Sequence, residues 1–160
     1  MGGVIGFASS QDCVMDLFFG TDYHSHLGTK RGGMCVLQED GFNRSIHNIE
    51  NSPFRTKFEH IFEEMSGTSA IGCISDYDPQ PLLIRSNLGT YAICVVGVLN
   101  NSETLIEHYL SFSGGHFDAM TGGNVNSTEL VAALINQKSG FVDGIRFAQN
   151  EIEGTASILI

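Results

Sequence analysis

The apolar residues of this chain come in short runs, and that distribution constrains its fold more than any other feature. The longest run, Ala92 to Val98, contains a glycine and falls far short of the ~20 apolar residues that a membrane-crossing helix needs. Short apolar runs bounded by turn residues read as buried strands. Val4–Ala8, Met34–Leu37, Ala70–Ile74, Leu82–Arg85, Tyr91–Leu99 and Ala156–Ile160 are of this kind. The more polar Arg44–Glu50 reads as a strand at a sheet edge.

Helical patterns lie between these runs. Asp12 can cap a helix from Cys13 to about His26, closed by Gly28, with Val14, Leu17, Phe18 and Phe19 on one broad face. Ser52-Pro53 supplies an N-cap and a first-turn proline, and Phe54, Phe58, Ile61, Phe62 and Met65 follow at helical spacing, so a helix is predicted to run to Gly67. Ser102 opens a helix carrying Leu105, Ile106, Tyr109 and Leu110. Asn126 with Glu129 has the capping-box pattern for a helix over Thr128–Gln137. Phe141–Glu151 reads as a weaker helix interrupted by Gly144. Strands, helices and strands again, without strict βαβ alternation, define an α+β chain. At 160 residues with no repeat or linker it is one domain, residues 1–160. A hydrophobic content of 42% against 16% charged excludes a disordered tail and a solvated coiled coil. The last residues, Ser157-Ile158-Leu159-Ile160, end inside an apolar strand, as expected of the front part of a longer protein.

Charge narrows the partners. Eighteen acidic against 8 basic residues leave a net charge of −10, and the cations are scattered apart from Lys30 and Arg31. Neither a nucleic-acid backbone nor an anionic membrane suits such a surface. The N-terminus lacks the charged and apolar regions of a secretory signal, and Phe7 stands where a myristoylation motif wants Ser or Thr. Cys13, Cys35, Cys73 and Cys94 show no CxxC spacing and read as buried free thiols in a reducing cytosol.

Candidate chemistry is thin when read residue by residue. His24 and His26 diverge on a helix, so they read as a polar helix end and not as a metal pair. Asp76-Tyr77-Asp78-Pro79 places two carboxylates on what resembles a turn more than a catalytic pair. The loop Gly28-Thr29-Lys30-Arg31-Gly32-Gly33 could cradle an anion through its N–H groups but departs from a P-loop. No Gly-x-Ser-x-Gly elbow marks a hydrolase triad. Neither a metal nor a cofactor is expected.

Six segments, in order along the chain, resemble the class II (N-terminal nucleophile) glutamine amidotransferases. Gly2-Gly3-Val4-Ile5-Gly6-Phe7 is similar to the family's opening Gly-Ile-Val-Gly-Ile after a processed Cys. Phe18-Phe19-Gly20-Thr21-Asp22-Tyr23-His24-Ser25-His26-Leu27-Gly28 resembles Tyr-Tyr-Gly-Leu-x-x-Leu-Gln-His-Arg-Gly, and Asp78-Pro79-Gln80-Pro81 resembles Asn-Ala-Gln-Pro. Gly97-Val98-Leu99-Asn100-Asn101, Thr128-Glu129 before Leu134-Ile135, and Gly154-Thr155-Ala156-Ser157-Ile158-Leu159 resemble Gly-Asn-Leu-x-Asn, Asp-Thr-Glu and Gly-Ala-Tyr-Ser-Leu-Val. Within the family the nearest likeness is to the glutaminase domain of amidophosphoribosyltransferases of purine synthesis. The resemblance implies an αββα sandwich of two packed, mostly antiparallel sheets flanked by helices, truncated at its C-terminal end. It also implies a downstream phosphoribosyltransferase domain, is compatible with a homo-oligomer, and leaves nucleic acid and membrane out.

The departures from the family fall on its site. The family nucleophile is a thiol on the first processed residue, with its α-amino group as base. Here that position is Gly2, which removal of Met1 would expose without a nucleophile. Ser75 stands where an Arg clamps the substrate carboxylate, and a neutral hydroxyl cannot replace a bidentate cation. Val96 and Gly97 stand where an Asn side chain and a Gly N–H form an oxyanion hole. Ser127 replaces the Asp that receives the substrate amine. The expectation is a degenerate glutaminase-like domain with a structural, assembly or regulatory role. The alternatives are an active glutamine-dependent amidophosphoribosyltransferase whose site residues lie elsewhere, or an emptied pocket that binds another small ligand through His24, Lys30 and Arg31.

Overall fold

The computed structural model describes residues 2–28 and 30–160. Nine strands and five helices follow in the order β1 (Gly3–Ala8), α1 (Val14–His24), β2 (Arg31–Gln38), β3 (Gly41–Asn48), α2 (Phe54–Phe58), β4 (Ser69–Ser75), β5 (Leu82–Ser86), β6 (Gly89–Leu99), α3 (Ser102–Ser113), β7 (Met120–Thr121), β8 (Asn124–Val125), α4 (Ser127–Ile135), α5 (Phe141–Glu151) and β9 (Gly154–Leu159), a count that refers to the described residues. One antiparallel sheet has the order β1-β4-β2-β3 and a second has the order β5-β6-β9. The sheets pack face to face, with α1 and α2 outside the first and α3–α5 outside the second. This is the αββα sandwich of the N-terminal nucleophile glutamine amidotransferase fold.

Strand alternation builds the layers. Met34, Val36, Ala70 and Ile74 point toward α1 and α2, where they meet Leu17, Phe18, Phe54 and Phe58. Tyr91, Ile93 and Val95 point the other way, onto Leu130, Val131, Leu134 and Ala148 of the helical layer. Their intervening neighbours Cys35, Cys73 and Cys94 are buried, unpaired as disulfides, on the opposite faces of the strands. Each fully buried Leu, Ile, Phe or Met side chain contributes about 1.5–3 kcal/mol by leaving water, so the two apolar layers supply most of the cohesion.

Two of the predicted helices differ. The Phe54–Met65 helix stops at Phe58, continues through turns, and ends in a single 3-10 turn at Phe62–Glu64. Its first residue follows Pro53, with no side-chain cap from Ser52. The aromatic rings explain the break: Phe54 stacks on Phe58 at 4.2 Å and Phe62 reaches Phe18 at 4.5 Å, so two short turns share one apolar face. In contrast α5 runs through Gly144 without interruption. A Cβ there would lie 2.5 Å from the Ile135 carbonyl oxygen, so the glycine permits close approach of α4 and α5.

Candidate functional site

At one end of the sandwich, the end of β4, the start of β1, the second half of β6 and the start of β9 face the first turns of α3 and α4. Between them is a cleft of about 780 Å³. Gly2, Ser75, Val96, Gly97 and Ser127, chosen from scattered stretches of sequence, all line it. Register accounts for the first pair: Gly3 lies opposite Ile74, which sets Gly2 beside Ser75. Val96 and Gly97 lie opposite Ser157 and Ala156 of β9.

Gly2, Ser75, Gly97 and Ser127 are each packed or bonded within the wall. A Cβ on Gly2 would run into the main-chain carbonyl of Ile74, and one on Gly97 into that of Thr155. Ser75 is buried and its hydroxyl donates to the Asp78 carbonyl at 2.6 Å. The Ser127 N–H donates to the Asp78 carboxylate at 3.0 Å, where a negative charge suits the N-terminus of α4. The cap of α4 is Asn126, whose side-chain oxygen accepts from Thr128 N–H at 2.9 Å and whose amide donates to Pro79. Glu129 does not close a capping box; it accepts instead from the N–H groups of Asp118 and Ala119.

The Asp78–Gln80 segment is therefore a structural clasp, as its turn-like sequence suggested. Gln80, 2% exposed, donates to the Val95 carbonyl and accepts from Val95 N–H and the Thr128 hydroxyl, all at 2.8 Å. Behind it, the Cys73 thiol donates to the Gln80 carbonyl at 3.3 Å. Burial and the neighbouring Cys94 push the Cys73 thiol well above its ordinary value, which disfavours a thiolate.

Asp76 and Asp78, the two carboxylates noted in the sequence, both face the cleft, as do Glu103, Thr121 and Asn124, which were not picked out there. Thr121 and Asn124 flank a tight hairpin at Gly122-Gly123, whose φ angles are +61° and +91°. A Gly-Gly pair between two short β-prone pairs was the readable signal for it. Among the described lining residues, the charged groups are the carboxylates of Asp76, Asp78 and Glu103; no cysteine, histidine, lysine or arginine is present.

His24, Lys30 and Arg31 do not line the cleft. The His24 ring lies against Gly3, and Lys30 lies 5.4 Å from the ring of Tyr77, itself a lining residue. No cluster of three or more metal-ligating side chains occurs among the described residues. Of the glycine-rich loop, Thr29 lies outside the described residues, and Arg31–Gly33 belong to β2. Side chains at Gly32 and Gly33 would meet Phe54 and the Gln80 carbonyl, so packing accounts for both glycines. A second cavity of about 460 Å³, near Gly6, Cys35, Thr90 and Leu159, carries no charged side chain.

The fold is that of N-terminal nucleophile glutamine amidotransferase domains. Two solved structures carry the likeness. One, "the allosteric regulatory enzyme of purine biosynthesis", superposes with a TM-score of 0.82 at 22% identity over 99% of this chain and 35% of its own. The other, glutamine phosphoribosylpyrophosphate amidotransferase from B. subtilis complexed with ADP and GMP, gives 0.81 at 22% identity over 99% and 34%. At that identity the likeness establishes the fold, and this chain spans about a third of the length of either protein. No protein-family profile and no curated protein sequence matches the chain. No helix among the described residues is long and apolar enough to cross a membrane.

Proposed function

We propose that this chain is a glutaminase-like domain that no longer hydrolyses glutamine. In this reading it serves structure, assembly or regulation in a cytoplasmic protein of amidophosphoribosyltransferase type, beside a phosphoribosyltransferase domain. The observation that carries the reading is at Gly2, where the space a nucleophilic side chain would need is taken by the Ile74 carbonyl. The other three functions fare no better. The Ser75 hydroxyl is committed to Asp78 and offers no cation to a substrate carboxylate. Val96 presents no amide donor to an oxyanion, and loss of one such donor typically costs about 100-fold or more in rate. Ser127 offers a neutral hydroxyl where a substrate ammonium needs a carboxylate. Nitrogen transfer by the whole protein would then draw on free ammonia or another donor.

The test uses the longest natural form of the protein with its mature N-terminus. Phosphoribosylamine formation from phosphoribosylpyrophosphate is followed with glutamine and, in parallel, with ammonium. Activity with ammonium alone is the expected result. Glutamine-dependent turnover, or labelling by a thiol-reactive glutamine analogue, would establish the active-enzyme alternative. Silence with both nitrogen donors would confine the domain to a structural or binding role.

One observation favours a second reading, in which the cleft holds a different small molecule. Among the described residues its charged side chains are all carboxylates, and Val95, Val98, Leu99, Ile106 and Leu130 supply an apolar wall. That combination suits an amine with an apolar body and disfavours any ligand bearing a carboxylate. A thermal-shift comparison of amines with amino acids and nucleotides distinguishes it: stabilisation by amines alone supports this reading, and by none excludes it.

A further inference from the structure

The two sheets leave a hollow between them at the end of the sandwich away from the cleft. The ends of β1 and β9 and the starts of β4 and β6 border it, and its volume is about 460 Å³. Alternation along β4 and β6 places the buried Cys73 and Cys94 between this hollow and the cleft. Small residues create the space. A Cβ on Gly6 would lie 3.3 Å from Leu159 of the other sheet, Ala8 is opposite Ser69 in register, and Ala92 comes from the facing strand. Packed sheets ordinarily fill the ~10 Å between them with interdigitating side chains, and these four positions reach at most one atom beyond Cβ.

The lining decides what can enter. Leu37, Phe42, Ile71 and Leu159 form its walls, and among the described lining residues none has a charged side chain. Polar groups are few. The Tyr91 hydroxyl is bonded to Asn136 in the helical layer, and the Thr90 side-chain oxygen accepts from Arg85 at 2.7 Å. Arg44, opposite Cys35 in register, turns its guanidinium to the Pro81 carbonyl at 3.3 Å. Ser69 is exposed at the rim, and the Cys35 thiol is buried and stays uncharged at neutral pH, because burial pushes it up to about 12. An enclosed water needs about 2–4 polar partners, so such a lining holds water poorly. An ion would lose its hydration with no counter-charge among the lining side chains.

We propose that this hollow binds an uncharged, apolar small molecule between the two sheets. Its volume lies within the ~300–1,000 Å³ typical of small-molecule sites. The occupant displaces loosely held water and supplies the apolar contacts that the small residues leave unmade, which favours binding. The inference is independent of the reading of the cleft, with which the hollow shares no lining residue.

Fluorescence titration of the chain with the neutral probe N-phenylnaphthylamine tests it, beside the same ring system carrying a sulfonate, anilinonaphthalene sulfonate. Both are measured in about 1 M salt, which shortens the reach of the chain's net negative charge to about 3 Å. The neutral probe is expected to saturate at one per chain and to bind at least about tenfold more tightly than the sulfonate. Ala92→Leu, which fills the hollow from a buried position, is expected to weaken the neutral probe by about tenfold or more. Ser69→Phe closes the exposed rim and does the same should the first variant fail to fold. No saturable binding of the neutral probe overturns the proposal, as does a sulfonate bound equally well. Binding that survives both filling variants, or that is lost in Val98→Asp of the cleft instead, overturns it by placing the probe elsewhere.

Discussion

The side-chain amide of Gln80 pairs with both main-chain polar groups of Val95, donating to its carbonyl and accepting from its N–H, each at 2.8 Å. It acts as a one-residue strand, satisfying β6 where no neighbouring strand does so at the cleft wall. Because Thr128 donates to the same oxygen, one side chain ties the clasp, the second sheet and the first turn of α4 together. Gln80→Ala would strand three buried polar groups, and each unsatisfied group costs about 1–3 kcal/mol. A loss of about 3 kcal/mol or more is expected, a large share of the 5–15 kcal/mol that holds a domain folded. A urea midpoint that falls with unchanged slope checks it.

The thiols predict an alkaline limit. Burial pushes Cys35 up to about 12 and raises Cys73 and Cys13, while burial also raises the Tyr91 hydroxyl against the bond it makes to Asn136. In the unfolded chain these thiols lose their protons near pH 8.5–9. Above that pH the unfolded state binds fewer protons than the folded one, so stability falls as pH rises. The Cys35 contribution is full below about pH 8.5 and is lost between about pH 9 and its folded value near 12. Urea midpoints at rising pH should show the decline, flattened in Cys35→Ala. A thiol reagent at neutral pH should leave the folded chain unmodified and label all four cysteines, Cys13, Cys35, Cys73 and Cys94, in denaturant.

What the sequence disclosed follows from which interactions are local. Short apolar runs and period-3.6 apolar patterns sufficed for most strands and helices, because each element packs an apolar face into one of the layers. The 54–65 segment misled because its spacing records a shared apolar face, which a helix and two short turns satisfy alike. Gly144 misled in the opposite direction, since its cost as a helix residue is visible in sequence while the Ile135 carbonyl that requires it is not. The cleft itself became legible through resemblance: nothing local links Gly2, Ser75, Val96 and Ser127, and only strand register and the Asp78 clasp bring them together.

Gly144→Ala sets two effects against each other. Helix propensity favours alanine by about 1 kcal/mol. The new methyl would face the Ile135 carbonyl at 2.5 Å, a contact no flexible side chain can relieve, and overpacking of this kind costs about 1–3 kcal/mol. The clash outweighs the propensity gain over most of that range, and a net loss of up to about 2 kcal/mol is expected. Thermal unfolding would read it as a drop of several degrees in Tm, at about 2–4 °C per kcal/mol for a domain near this size. An unchanged or raised Tm would mean that α5 can move away from α4 at little cost.

Gly2→Cys would put a thiol where the proposed reading aligns the family nucleophile, and it is not expected to produce a glutaminase. Its Cβ would press on the Ile74 carbonyl, so the start of β1 must shift away from β4 before the side chain fits. That displacement moves the thiol from the wall it would need to share with the cleft, and it costs about 1–3 kcal/mol by the same overpacking argument. Even well placed, the thiolate would find no cation at Ser75 to hold a glutamine carboxylate and no side-chain amide at Val96 to receive the oxyanion. Ammonia release from glutamine by the processed variant should therefore remain at background while its Tm falls. Release well above background would show that the pocket still recognises glutamine, and that the nucleophile alone separates this domain from an active one.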